Sequence, residues 1–351
     1  MLCQNNYFGF FVAHNYEIVE EKMTDKIYNK PFLTYDQQIN KIVDEYDLII
    51  QDRNIAKRLL SSFSYYDLIN GYKECFMEDN SYQRKVTIEN LYTFLTFDRS
   101  FQSILLKYSI YAENRFKNIL AYEISKTYGV DVTEYLEISH YKNTKRALDV
   151  LDNLKQIPTA NVVLNPTKHY LNKNHIPAWI LLKNATFNDS IDLFLNLKDE
   201  NYSLVCKELF SNFDKIPAEY IKEFAKNSLI IVRKFRNKIA HNLKFVTYRT
   251  PKNQLYIKNL SSTYGGSLIE GEDFAVKRGR SDPYAMIISL TTLLNEDFLI
   301  MNFFQDLSGS ILSLDLDHSG LGYDVFKKYC EATNIPINIR NRFRHYIENL
   351  K

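Results

Sequence analysis

Glycine and proline are scarce in this chain, with 10 and 8 among 351 residues. So few turn formers exclude a turn-rich all-β protein and predict a mainly α one. Cysteine is scarce too. Cys3, Cys75, Cys206 and Cys330 are far apart and form no CxxC pair, so they read as buried free thiols of a reducing cytoplasm, not as disulfide partners or metal ligands. No apolar run approaches the ~20 residues of a membrane span, so no membrane partner is expected. The opening MLCQNNYFGFFVAHN has a short apolar run at Tyr7–Ala13 but no basic leader, which argues against a secretory signal. A Gly-rich phosphate loop, HExxH, GxSxG and paired catalytic carboxylates are all missing. The net charge is only +2, so any case for nucleic-acid binding must rest on local clusters.

What is present is an ordinary balance, 45% hydrophobic and 25% charged, with abundant Tyr (26) and Phe (23). Thr34 and Gln37 form a capping-box pattern for a helix over Tyr35–Asp47. Asp52 caps a second helix to Ser62, and a third starts at Ser64 and is interrupted or ended at Gly71. Phe63, Tyr65, Tyr66, Tyr72 and Phe76 read as core packing rather than as a base-stacking platform. A helix opened by Thr87 is expected to end near Asp98, followed by the longest periodic segment, Phe101–Tyr128, which Gly129 stops. A short and a longer helix follow over Asp131–Ile157, then mostly loop with one helical turn over Thr159–Pro177. WILLKNATF reads as buried, with helices at Asp189–Leu197 and Tyr202–Phe213.

The helix begun at Pro217 has one apolar face, from Ile221 through Phe235 to Ile239, and is expected to fray near His241–Leu243. FVTYR (Phe245–Arg249) and QLYIK (Gln254–Lys258) alternate like strands and predict a β-hairpin. Helices are expected at Pro283–Phe304, Phe326–Glu331 and Ile335–Leu350. The expected divisions are a flexible tail at 1–23, with Met23 a candidate start, a helical module at 24–80, a helical domain at 81–244, and a C-terminal extension at 245–351 holding the hairpin.

The densest chemistry lies in LIIVRKFRNKIAHNL, Leu229–Leu243. Arg233, Lys234, Arg236, Lys238 and Lys244 surround His241 with no acid among them. A helix dipole accounts for some cations at a helix C-terminus, but not for Arg236-Asn237-x-x-x-His241 where an apolar helix ends. RNA cleavage without a metal needs a base for the ribose 2′-OH, an acid for the departing 5′-oxygen and a cation for the phosphorane. Histidine suits proton transfer near neutral pH, and arginine offers phosphate a permanently charged planar fork. Asn237 can orient His241 or the substrate. On an ideal helix Arg236 and His241 lie about 140° apart, so one straight helix cannot aim both at one phosphate. Either the helix distorts or two copies pack together, each giving one Arg and one His; the second is the expectation, hence a homodimer.

The spacing resembles the R-x4–6-H motif of the HEPN ribonuclease superfamily. The wider chain resembles the Abi-like abortive-infection proteins of the AbiD/AbiF kind, in KPFLTYDQQI (Lys30–Ile39), FSYYDLINGY (Phe63–Tyr72), YTFLTFDRSFQSILLKYSIYAENRFKNILA (Tyr92–Ala121), PAWILLKNATFNDSIDLF (Pro177–Phe194) and RKFRNKIAHNL (Arg233–Leu243), in the family's order. The resemblance implies a HEPN-type helical bundle, a metal-independent endoribonuclease leaving a 2′,3′-cyclic phosphate, homodimerisation, no cofactor, and a role in phage defence or as a toxin. It also implies a small structured non-coding RNA as partner beside the RNA substrate. The alternative is a non-catalytic RNA-binding module of a defence ribonucleoprotein. Two positions depart from the family: Asn188 stands where Gly is usual after Phe187, and Lys183 or Asn184 replaces an acid often found earlier.

Outside that motif, Glu113, Arg115 and Lys117 lie in the segment resembling the family's long glutamate-bearing helix. They read either as support for the active helix or as an ordinary surface ion pair. Lys277, Arg278 and Arg280 form a small basic cluster, and Arg340-Asn341-Arg342-Phe343-Arg344-His345 repeats the motif's spacing. Both read as basic surfaces facing RNA or solvent. His169 and His175 are six apart and do not make a metal pair.

Overall fold

The computed structural model describes residues 29–159, 165–173, 175–211, 218–256, 267–317 and 324–349. The tail expected at 1–23 and Cys3 lie outside them. The chain begins with α1 (Tyr35–Tyr46), closed by the predicted capping box: Thr34 Oγ1 accepts from Gln37 N–H, and Thr34 N–H donates to Gln37 Oε1 at 2.9 Å. Helix α2 (Arg53–Ser62) starts on Asp52, which accepts from Asn54 and Ile55 N–H. The third helix expected from Ser64 is a π-helical turn, Tyr66–Asn70. It ends on a glycine for a steric reason, since a Cβ on Gly71 would sit 2.4 Å from Asp67 O. Helix α3 (Lys73–Phe76) and a two-stranded ribbon, β1 (Met77–Glu78) and β2 (Ser81–Tyr82), complete this end.

Helix α4 runs unbroken over Ile88–Tyr128, 41 residues and about 60 Å. The stop expected near Asp98 does not occur. Asp98 is not a cap but a buried side chain, accepting from Tyr72 OH at 2.7 Å, Gln102 Nε2 at 2.6 Å and Tyr329 OH at 3.0 Å. Around α4 lie α5 (Val132–Tyr135), α6 (Lys145–Gln156), α7 (Asn165–Tyr170), α8 (Ala178–Asn184), α9 (Phe187–Leu195), α10 (Asp199–Leu209) and α11 (Ala218–Ala240). Trp179 is half exposed, while Leu181, Leu182, Ala185 and Phe187 of the same stretch are buried.

Among the described residues the hairpin expected after α11 does not form, and the last two residues of its second strand, Ile257 and Lys258, lie outside them. Phe245, Val246 and Leu255 are buried, the adjacent Phe245 and Val246 without the alternation of a strand, and the described parts of the two segments do not pair with each other. Thr250 N–H and Leu255 N–H donate instead to Ser281 O and Arg280 O, both at 2.8 Å. Among the described residues the only sheet is β1–β2. Next come α12 (Gly271–Ala275) and α13 (Pro283–Leu294). The single helix expected over Pro283–Phe304 breaks at Asn295, which is left-handed at φ 54°, and α14 (Asp297–Asp317) follows. The chain closes with α15 (Val325–Thr333) and α16 (Ile339–Glu348).

Two elements fix the position of the site. Helix α4 packs against α8, α10, α11, α13, α14 and α15. Helix α13 is buried at every position and lies against both α4 and α11. Aromatic contacts join the ends: Tyr329 packs on Phe97 and Phe101, Phe303 on Tyr108, and Phe194 on Phe116. The thiols of Cys75, Cys206 and Cys330 are free and buried, and burial pushes Cys75 and Cys206 up to about 12.

Candidate active site

Helix α11 is amphipathic. Phe224, Ala225, Leu229, Ile231, Val232 and Phe235 are buried, whereas Asn237 and His241 are exposed and Arg233, Lys234, Arg236 and Lys238 are intermediate. Its end is built rather than frayed. His241 N–H donates to Asn237 O at 3.1 Å, Asn242 N–H to Ile239 O at 3.0 Å, and Leu243 N–H to Lys238 O at 2.8 Å. Asn242 takes the left-handed conformation, φ 53°. This is a Schellman motif with His241 as its last helical-side residue, so the imidazole is carried by a fixed turn. The α-type bond from His241 to Asn237 keeps the backbone on the helical path as far as His241.

Arg236 is held from α4. Its Nη2 lies 3.8 Å from Glu113 Oε2, and its Nη1 donates to Asn237 Oδ1 at 3.2 Å. Glu113 Oε1 takes Lys117 Nζ at 2.7 Å, and Lys117 also donates to Ala185 O at 2.7 Å. The Glu113–Lys117 pair is therefore not on the surface: the side chains are 13% and 11% exposed. Glu113 and Lys117 thus come together with Arg236. Arg115, two residues from Glu113 and on another side of α4, does not. It donates to Leu209 O, Glu208 O and Leu293 O, tying down the ends of α10 and α13.

The other cations of this stretch are mostly engaged. Arg233 donates to Asn188 Oδ1, and Asn188 Nδ2 donates to Asp192 Oδ2 at 3.0 Å. Arg146 pairs with the other Asp192 oxygen. Asn188, the departure from the family pattern, is thereby the hinge of a charged chain from α6 through α9 to α11. Nothing in a sequence without that comparison marks it. Lys234 donates to Asn253 Oδ1 at 2.7 Å, and burial, with Arg233 and Lys252 nearby, pulls its ammonium below the usual lysine range. Lys238 lies over the Tyr248 ring at 4.8 Å. Lys244 pairs with Glu74, which also accepts from Thr247 Oγ1 at 3.0 Å.

The C-terminal clusters lie elsewhere in the contact pattern. Arg342 is 2% exposed, with its guanidinium on Asp273 at 2.5 Å, Glu270 at 2.8 Å and Glu272 at 3.3 Å. No face of it is left for an outside phosphate. Arg278 pairs with Asp273 at 2.8 Å, and Arg280 donates to Gln254 Oε1 at 2.7 Å. Lys277, Arg344 and His345 are exposed, and Arg340 is intermediate.

Just past the end of α11, residues Asn242–Phe245 form one wall of a cleft of about 140 Å³, with Tyr66, Asp98, Arg99 and Gln102 among those opposite. Among the described residues, no group of three or more His, Cys, Asp or Glu side chains is placed to hold a metal ion, and no helix is long and apolar enough to cross a membrane. Comparison with known families matches residues 58–246, just over half of the chain and ending just beyond the Schellman turn, to the family described as Abi-like protein. No curated protein and no solved structure matches.

Proposed function

The chain belongs to the Abi-like protein family, and from that membership we propose that it is a HEPN-type endoribonuclease acting in abortive-infection defence against phage or as a toxin. The observation that carries this reading is the end of α11, where a family match, an Arg236 braced by Glu113 and an exposed His241 on a fixed turn coincide. In the proposed reaction, one His241 takes the proton of a ribose 2′-OH. O2′ bonds to phosphorus, the P–O5′ bond breaks, and O5′ leaves with a proton delivered by the His241 of a second copy. Arg236 neutralises the charge on the non-bridging oxygens. The products are a 2′,3′-cyclic phosphate and a 5′-hydroxyl.

A second copy enters because Arg236 and His241 diverge on one helix. Two chains, each giving one Arg and one His to a shared cleft, form the complete site. A small structured RNA bound to the basic surface is the further partner in this reading.

The test is cleavage of RNA in EDTA by the parent chain and by His241→Ala. Loss of cleavage in a folded variant, with cyclic phosphate ends from the parent, supports the reading. Undiminished cleavage by His241→Ala overturns it. A non-catalytic RNA-binding module is the second reading, favoured by the engagement of Arg236 with Glu113 and Asn237 inside one chain. It expects RNA binding with a steep salt dependence and no effect of His241→Ala on function.

A further inference from the structure

The cleft at the end of α11 is one end of a longer groove. Tyr66, Asn70 and Lys244 line both that cleft and a neighbouring hollow of about 960 Å³ between α1, the π-helical turn and α3. Asn70, Lys73 and Glu74 carry the groove on into a third hollow of about 390 Å³ beside β1 and β2. Asn70 lines all three, so the hollows lie side by side from the residues after His241 to the β-ribbon.

Tyr66 stands where the first two hollows meet. The sequence groups it with core aromatics, but it is 72% exposed, whereas Tyr72 and Phe76 of the same set are buried. The π-helical turn places it there, and Gly71, where a Cβ would meet Asp67 O, lets the turn close. Single-turn π segments are frequent at functional sites. An exposed ring held on a fixed turn offers a face for a flat partner at little entropic cost.

The chemistry of the walls selects the partner. Asn70, Asn80 and Gln38 offer amide edges, and Lys30 and Lys73 offer cations. Of the acids, Glu45 is held by Lys41 at 3.7 Å, Glu74 by Lys244, and Asp98 accepts from Tyr72, Gln102 and Tyr329, which leaves Asp44 and Asp67 against Lys30, Lys73 and Arg99. Rings to stack on, amides for base edges and lysines for phosphates are the composition of a single-strand nucleic-acid path.

We propose that this groove binds a single-stranded segment of RNA, with one unpaired base stacked on Tyr66, and leads the strand to the end of α11. The proposal rests on the ribonuclease reading for what happens at that end, but its binding step stands or falls separately.

The experiment measures fluorescence anisotropy of a labelled 12-nucleotide oligouridine with the full chain carrying His241→Ala, so that binding is read without cleavage. Adding Tyr66→Ala raises Kd at least fivefold, the low end of what one stacked base contributes. Tyr66→Trp keeps Kd within twofold. A blunt-ended RNA duplex, whose bases are not free to stack, loses no affinity with Tyr66→Ala. Because Tyr66 is exposed, its variants keep the parent's melting temperature. Unchanged oligouridine affinity in Tyr66→Ala overturns the proposal and leaves a groove that serves a peptide or nothing. An equal loss for duplex and single strand also overturns it. Cleavage lost in His241→Ala with unchanged Tyr66→Ala binding leaves the ribonuclease and removes the groove. Tyr66-dependent binding with cleavage indifferent to His241 does the reverse.

Discussion

Glu113 and Arg236 meet across the contact between α4 and α11, with the carboxylate Oε2 3.8 Å from the guanidinium and its other oxygen on Lys117. At this spacing on an exposed helix, a Glu–Lys pair contributes only about 0.3–0.5 kcal/mol. Burial changes its importance. The carboxylate neutralises a buried ammonium on its own helix and braces, on the next helix, the one arginine of the proposed site.

Truncating Glu113 therefore has two separable effects. Glu113→Ala strands Lys117 with only the Ala185 carbonyl, and stability measured in urea falls by about 3–5 kcal/mol. The double variant Glu113→Leu/Lys117→Met removes both charges and recovers most of that loss. RNA cleavage per folded molecule drops about tenfold in Glu113→Gln, which keeps a bond to Lys117 but loses the charge facing Arg236. Full stability in Glu113→Ala contradicts the buried pair, and full cleavage in Glu113→Gln contradicts the bracing of Arg236.

The turn that carries His241 depends on a residue with no chemistry of its own. Asn242 sits at φ 53°, where a β-branched side chain is strained by roughly 1–2 kcal/mol and glycine is at ease. Asn242→Val is expected to lower stability by about that amount and to reduce cleavage, as the bonds from Asn242 to Ile239 and from Leu243 to Lys238 open. Asn242→Gly keeps both stability and cleavage. Thermal melts alongside cleavage rates check the pair, and a valine variant with parental values would show that the cap does not position the histidine.

What the sequence made legible was local. Thr34 with Gln37, Asp52 and Thr87 cap their helices by bonds spanning two or three residues, and all three were readable from residue type alone. The apolar face of α11 and the place where it ends were legible for the same reason. Asp98-Arg99-Ser100 looked like a helix start because Asp98 is satisfied by Tyr72 and Tyr329, 26 and 231 residues away. Phe245–Arg249 looked like a strand because its residues read as alternating, but its neighbours' backbone partners are Arg280 and Ser281. Of the site, the motif was legible and Glu113 stood out with two readings open; which of them holds, and the bond of Asn188 to Arg233, depend on contacts between distant segments.

Asp98 gives the fold a pH signature. Burial, opposed by bonds from Tyr72, Tyr329 and Gln102, pushes its carboxyl from an ordinary value near 3.8 up to about 6. A folded-state value above the unfolded one favours the protonated acid. Its contribution is complete below pH 3.8 and is lost as pH rises through about 6. The parent's stability relative to Asp98→Asn should therefore fall by about 2–3 kcal/mol between pH 4 and pH 7. The constant cost of placing an amide among those donors cancels in that comparison. Urea unfolding of both proteins at the two pH values reads it, and a difference independent of pH would mean that the carboxyl ionises normally in place.

The second Arg-Asn-x3-His, at Arg340–His345, shares the spacing of the first but not its surroundings. In the first, Arg236 keeps a third of its side-chain surface and faces a single carboxylate at 3.8 Å. In the second, the middle arginine, Arg342, is enclosed by Asp273, Glu270 and Glu272 and also donates to Leu268 O at 3.2 Å. That cluster fastens α16 to α12 and to the segment before it. Arg342→Met leaves Asp273, itself buried, without its closest cation, and stability falls by about 3–5 kcal/mol. Cleavage per folded molecule at low temperature stays at the parental level. His345→Ala, at an exposed position, changes neither quantity by more than about 0.5 kcal/mol in stability or twofold in rate. Loss of cleavage in His345→Ala with stability intact would make the C-terminal repeat a working part of the site. The expected pattern, stability lost at Arg342 and nothing lost at His345, assigns the repeat to the fold, because an arginine surrounded by three carboxylates has no charge to spare for a phosphate.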